Sequence, residues 1–79
     1  MNYTAYFYTP QRRRQTRHET HPYKGIYRGI WCAISRAFRR TTCERVEVFA
    51  EPDDPSGRRE YIGSCTRDNY HDFLERTFH

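Results

Sequence analysis

The chain is 79 residues long, 30% of them charged, with a formal net charge of +4, which is room for one small domain spanning 1–79. No apolar run approaches the roughly 18 residues of a membrane span, and no uniform apolar stretch follows a basic start, so neither a transmembrane protein nor a secretory leader is expected. The three cysteines, Cys32, Cys43 and Cys65, are odd in number and form no C-x-x-C pair, which excludes a secreted disulfide scaffold and points to free thiols in a reducing cytoplasm.

Asn2 to Thr9, NYTAYFYT, is rich in β-formers and is closed by Pro10, so it predicts a strand. Alternation places Tyr3, Ala5 and Phe7 on one face and Thr4, Tyr6 and Tyr8 on the other, so both faces carry rings. Gln11 to His21 is polar throughout. It is either a hairpin turn leading to an exposed edge strand over Gln15–Thr20 or a mobile basic loop.

Ile26 to Arg40 is the clearest helix. Tyr27, Ile30, Trp31, Ile34, Ala37 and Phe38 recur at intervals of three and four and form one stripe. The opposite face carries Arg28, Arg36, Arg39 and Arg40, with Gly29 and Cys32 among them. Gly25 and Gly29 weaken the first turn by up to about 1 kcal/mol each, whereas Arg39 and Arg40 suit the negative end of the helix dipole.

Arg45 to Ala50 sets Val46, Val48 and Ala50 against Arg45, Glu47 and Phe49, a half-buried strand. EPDDPSG, 51–57, is a turn cluster, and extended structure resumes over Arg58–Cys65 around Tyr61 and Ile62, giving a hairpin. Thr66 or Asp68 can cap a last helix, on which Tyr70, Phe73, Leu74 and Phe78 follow at helical spacing. The sum is an α+β fold in β(β)αββα order: a small antiparallel sheet of three or four strands with one long amphipathic helix and a C-terminal helix. Leu, Ile, Val and Phe contribute only 12 residues, but 13 aromatics supply the missing apolar area. The stability margin of so small a core is thin, which favours a partner subunit or a flat sheet used for binding.

Charge is polarised along the chain. Residues 1–45 hold ten basic and two acidic side chains, and residues 46–79 hold four basic and eight acidic ones. Of 14 basic residues only Lys24 is a lysine; the arginine richness follows from a GC-rich coding genome, from the suitability of the guanidinium fork for phosphate and carboxylate, or from both. The asymmetry implies a bipolar surface that docks on something charged, complementarity between the two halves, or head-to-tail self-association.

Candidate chemistry is sparse. Cys43, Cys65, His18, His21, His71 and His79 are potential zinc ligands, but structural zinc sites draw on two close pairs and the cysteines here are far apart; these residues read as surface histidines and buried thiols. Cys32 lies among cations that favour a thiolate, yet no base or oxyanion site accompanies it, and Asp53 with Asp54 reads as turn chemistry. No catalytic residue, metal or cofactor is therefore expected, and the chain reads as a non-enzymatic protein.

Binding is the stronger reading. Arg12, Arg13, Arg14, Arg17 and Lys24 form a basic segment, and Arg28, Arg36, Arg39 and Arg40 a basic helix face; Tyr23 adds an interface anchor. Tyr6 and Tyr8 can stack bases if their sheet face is open, or they lie under the C-terminal helix. Glu47, Glu51, Asp53, Asp54 and Glu60 cluster around the hairpin, either as a mimic of phosphate spacing or as a solubilising surface.

An aromatic strand followed by the helix GIYRGIWCAISRAFRR and the hairpin RVEVFAEPDDPSGRREYIG resembles, in layout, several small anti-CRISPR proteins of phages and mobile elements. The resemblance implies a non-enzymatic inhibitor in the host cytoplasm; the chain itself is expected to be a monomer or homodimer. Such a protein binds a host protein–nucleic-acid complex, CRISPR effectors among them, and blocks DNA binding or nuclease recruitment. The basic N-terminal half departs from inhibitors that imitate an acidic duplex. The alternative is a module or small regulator that binds DNA or RNA directly.

Overall fold

A computed structural model describes residues 2–10, 18–19 (backbone only), 22–54 and 56–78. Its elements are β1 (Asn2–Thr9), β2 (His18–Glu19), β3 (Tyr23–Ile26), α1 (Tyr27–Arg40), β4 (Arg45–Ala50), β5 (Glu60–Thr66) and α2 (Tyr70–Thr77). The fold is α+β, as the sequence implies. β4 and β5 pair on one side of β1. On the other side lie both β2, through Thr9–His18 and Tyr8–Glu19, and β3, through pairs from Asn2–Ile26 to Ala5–Tyr23. β2 and β3 thus act as one interrupted outer strand, and the antiparallel sheet is four strands wide.

β3 is the element that sequence patterning missed. YKGI is four residues long and carries a glycine, so its strand character comes from pairing with β1 rather than from local propensity. β3 and β4 both run antiparallel to β1, and α1, which joins them, therefore crosses over β1 and packs on it. α1 begins at Tyr27 because Ile26 is still extended. Of the expected edge strand over Gln15–Thr20, only His18–Glu19 is described, and it is a strand; the rest lies outside the described residues.

Pairing register sorts the side chains into two faces. Ala5 stands opposite Val48, Phe7 opposite Val46, and Val46 opposite Cys65. These residues share one core with Ile30, Ile34 and Phe38 of α1 and with Tyr70, Phe73 and Leu74 of α2. Both helices therefore cover the same side of the sheet. The opposite side carries Thr4, Tyr6 and Tyr8 of β1, Arg45, Glu47 and Phe49 of β4, and Tyr61 of β5. Tyr6 and Tyr8 are thus not under the C-terminal helix. A register shift between Val48 and Phe49 leaves Ile62 as the extra residue of β5, and it packs its side chain against the core.

Of the two glycines expected in the first helical turn only Gly29 lies in α1, because Gly25 belongs to β3 and pairs with Tyr3; both have a packing reason. A β-carbon on Gly29 would sit 2.9 Å from the Tyr23 hydroxyl, and one on Gly25 would sit 3.0 Å from the Tyr23 ring. The ring lies across both positions, so Tyr23, though 41% exposed, is seated on α1. At the other end of the fold α2 does not use the expected cap: neither Thr66 nor Asp68 occupies it, and Asn69 is the N-cap residue. The Asn69 side chain turns back to accept the Thr66 N–H at 2.7 Å and so closes the β5–α2 turn.

Candidate binding surfaces

α1 presents its apolar stripe to the sheet and its cations outward. Ile30, Ile34 and Phe38 are buried, whereas Arg28, Cys32, Arg36, Arg39 and Arg40 are exposed, as is Lys24 on β3. None of these four arginines, nor Lys24, forms an ion pair with a carboxylate among the described residues. The ion pairs seen among the described residues lie on the β4–β5 side of the sheet: Arg45, the last cation of the basic half, to Glu47 at 3.1 Å, and Arg59 to Glu51 at 3.8 Å. Internal complementarity between the basic and acidic halves is thus not how the described arginines of α1 are disposed. Arg12, Arg13, Arg14 and Arg17 lie outside the described residues.

Two adjacent rows run along the outer side of α1. Trp31, Ser35 and Arg39 form one i, i+4 row, and Cys32, Arg36 and Arg40 form the next. Together they line a shallow depression of about 360 Å³. Trp31 is half-buried; part of it packs against the core, and part forms a wall of this depression. Sequence reasoning placed Trp31 in the apolar stripe and missed its second role, because a wheel position at the edge of a stripe is compatible with both.

Arg67 stabilises the far end of α1. Its guanidinium lies over the Phe38 ring and donates to the Phe38 carbonyl, to the Thr41 carbonyl at 3.0 Å and to the Cys43 carbonyl at 2.7 Å. Those carbonyls lie at and just beyond the helix end, where backbone acceptors have no helical partner. The Thr41 hydroxyl donates to the Ala37 carbonyl at 2.6 Å and completes the closure.

On the helix-free side of the sheet, aromatic rings run across the strands. Tyr6 meets Phe49 edge-on at 5.6 Å, and Phe49 meets Tyr61 at 5.4 Å. The Arg59 guanidinium stands 5.3 Å from the Tyr6 centroid and 5.1 Å from that of Phe49, and donates to the Tyr6 hydroxyl. Arg45 lies over Tyr8, whose hydroxyl donates to Glu47 at 2.6 Å. Thr4, fully buried, donates its hydroxyl to Glu51.

The acidic set around the hairpin is accordingly divided. Glu47 and Glu51 are engaged by this network, while Asp53, Asp54 and Glu60 are exposed. Asp54 accepts the Ser56 backbone N–H at 3.1 Å, which holds its carboxyl below the usual carboxylate range.

All three cysteines are free thiols. Cys32 is exposed. Burial pushes the thiols of Cys43 and Cys65 up, Cys65 to about 12 with the neighbouring Cys43 adding to the effect. Both are core groups, and the Cys43 thiol donates to the Arg45 carbonyl at 3.3 Å. Among the described residues no three His, Cys, Asp or Glu side chains gather as a metal site would require, and no helix is long and apolar enough to cross a membrane. His71 stacks on Tyr70 at 4.3 Å; His21, His79 and the side chain of His18 lie outside the described residues.

Geometry and fold together define a class, a small α+β protein with a cationic helix layer over a sheet whose other side carries aromatic rings. Compared with known proteins, the chain matches no family model, no curated protein and no solved structure at a significant level.

Proposed function

We propose that this chain is a non-enzymatic, stoichiometric binding protein of the host cytoplasm, and that it docks on a protein–nucleic-acid complex through the cationic outer face of α1. The observation that carries the reading is the isolation of Arg28, Arg36, Arg39 and Arg40 from any carboxylate among the described residues. Like charges at i, i+3 and i, i+4 on one helix cost a few tenths of a kcal/mol per pair. Arg36 faces both Arg39 and Arg40 in this way, so folding gains nothing from the cluster, and an external polyanion is what offsets it. The layout resemblance to anti-CRISPR proteins gives the docking a consequence: occlusion of DNA binding or of nuclease recruitment. Arg12, Arg13, Arg14 and Arg17 belong to the same proposed surface on sequence grounds.

The test is capture from a bacterial lysate by the intact chain, with the captured species identified by mass spectrometry. Charge reversal at Arg36, Arg39 and Arg40 is expected to abolish capture while circular dichroism stays that of the wild type. A folded triple variant that still captures its partner overturns the reading.

A second reading, direct binding of nucleic acid on the sheet, is favoured by the ring row Tyr6–Phe49–Tyr61 and by the 54% exposure of Tyr61. Base–aromatic stacking is worth about 1–3 kcal/mol per base, so Tyr61→Ala would weaken such binding by that amount. Unchanged affinity of Tyr61→Ala for oligonucleotides removes this second reading.

A further inference from the structure

The depression on α1 combines two recognition elements that are seldom useful to the same ligand. Arg36, Arg39 and Arg40 supply three guanidinium groups with no carboxylate partner among the described residues, and half-buried Trp31 lines the same 360 Å³ hollow, with Ser35 between them on the Trp31–Arg39 row. Guanidinium forks suit phosphate. An indole suits a planar base or a cation, and a cation is unwelcome beside three arginines.

Each class of polyanion meets these elements differently. An acidic protein surface offers carboxylates to the arginines but no ring to the indole. A duplex offers phosphates but keeps its base faces stacked inside the helix, which leaves Trp31 idle. A single strand offers both together: phosphates at short intervals and bases whose faces are free to stack.

We infer that the α1 depression takes a nucleotide of an exposed single strand, with Arg36, Arg39 and Arg40 on its phosphates and Trp31 against its base. The inference rests on the reading of α1 as the docking face and specifies what that face holds: the unpaired strand of the partner complex.

Trp31 is the only tryptophan in the chain, so intrinsic fluorescence reports on this wall of the hollow alone. The intact protein is titrated with a mixed-sequence single strand of about 12 nucleotides, with the same sequence as a duplex, and with polyglutamate, at low salt. The single strand is expected to quench Trp31 and to bind at least about 5-fold more tightly than the duplex, since only it gains the stacking term. Its log affinity should fall with log salt at about −0.7 per phosphate, so about −2 for three contacts.

Trp31→Leu keeps an apolar side chain against the core and removes the ring. It should weaken single-strand binding about 5- to 150-fold and leave duplex binding unchanged. The inference is overturned if Trp31→Leu, shown to be folded, binds the single strand as the wild type does. It is equally overturned if duplex or polyglutamate binds as well as the single strand, or if none of the three probes binds. These failures are separable from failure of the docking face itself. If charge reversal at Arg36, Arg39 and Arg40 abolishes partner capture while Trp31→Leu does not alter binding, the docking face stands and only the single-strand assignment falls.

Discussion

Arg67 decides more of this fold than its exposed position in the β5–α2 turn suggests. One side chain gathers three carbonyls from the end of α1 and the segment after it, and stands over the Phe38 ring with Cζ 5.7 Å from its centroid. Hydrogen bonds to a charged donor contribute about 1.5–3 kcal/mol when both partners are held, and several sharing one side chain do not add fully. Arg67→Ala is therefore expected to lower unfolding free energy by about 2 kcal/mol in urea titrations, and Arg67→Lys to restore only part of it, because an ammonium cannot serve three acceptors in one plane. Cys65 carries a second residue-level consequence. Its folded-state pKa of about 12 lies above the ordinary value of 9.0, so the protonated thiol is the form the core accepts. The stabilisation is complete below pH 9.0 and is lost as pH rises toward 12. The urea midpoint should fall across that window. The informative quantity is the difference from Cys65→Ala, whose midpoint should fall less steeply. Thiol titration at neutral pH gives an independent check on the same core: Cys32 alone should react in the native protein, and all three cysteines after unfolding.

Helix α2 shows how an element with few residues can be indispensable. Tyr70, Phe73, Leu74 and Phe78 are all buried, and they meet the sheet at β5 and α1 at Phe38 through the Tyr70 ring, 4.8 Å away. Phe78 also packs against Tyr3 of β1 at 5.0 Å, so the end of the chain closes on its beginning. Removing residues 70–79 strips the core of four large side chains, each worth roughly 1.5–3 kcal/mol of burial, which exceeds what so small a domain can lose. The truncated chain is expected to lose its cooperative thermal transition and to aggregate; a soluble truncation with an unchanged melting temperature would contradict this. Gly63 serves the same packing. A β-carbon there would stand 2.9 Å from Phe73 Cε1, and Phe73 is itself buried, so Gly63→Ala should cost about 1–3 kcal/mol by overpacking, measured as a drop in the urea midpoint.

For the molecule as a whole, charge and apolar area are separated by layer. Among the described residues the outer layer of α1 is cationic, the middle is the shared core, and the far side of the sheet holds rings and the Arg45–Glu47 and Arg59–Glu51 ion pairs. This arrangement predicts opposite effects of one substitution on folding and on binding. Arg36→Gln removes unfavourable contacts with Arg39 and Arg40, so stability at low salt should stay level or rise by a few tenths of a kcal/mol. Partner binding should weaken, and its salt dependence should become shallower. If Arg36→Gln destabilises the fold by more than about 1 kcal/mol, the arginines of α1 are structural and the docking reading loses its physical basis.

The alternation of Val46 and Val48 against Glu47 and Phe49, and the four-residue spacing of Ile30, Ile34 and Phe38, were legible from the chain alone. In both cases one periodicity is enforced by one buried face, and all five apolar residues of that face are in the core. The cationic outer face of α1 was legible for the same reason, as the complement of that stripe. β3, the Arg67 contacts and the seat of Tyr23 on Gly25 and Gly29 were not. β3 and the Arg67 contacts depend on partners distant in sequence, such as Ala5 for Tyr23 or Phe38 for Arg67, and the Tyr23 ring reaches Gly29 only because residues 23–26 are held extended against β1. Local pattern thus determined which residues turn inward and which charges turn outward. Only tertiary structure decided that both helices share one side of the sheet, because both β1 faces carry rings and propensity alone cannot choose between them. That choice came from register: pairing Ala5 with Val48 and Val46 with Cys65 assembles the one apolar surface large enough to bury two helices, and leaves Tyr6, Phe49 and Tyr61 on the other side.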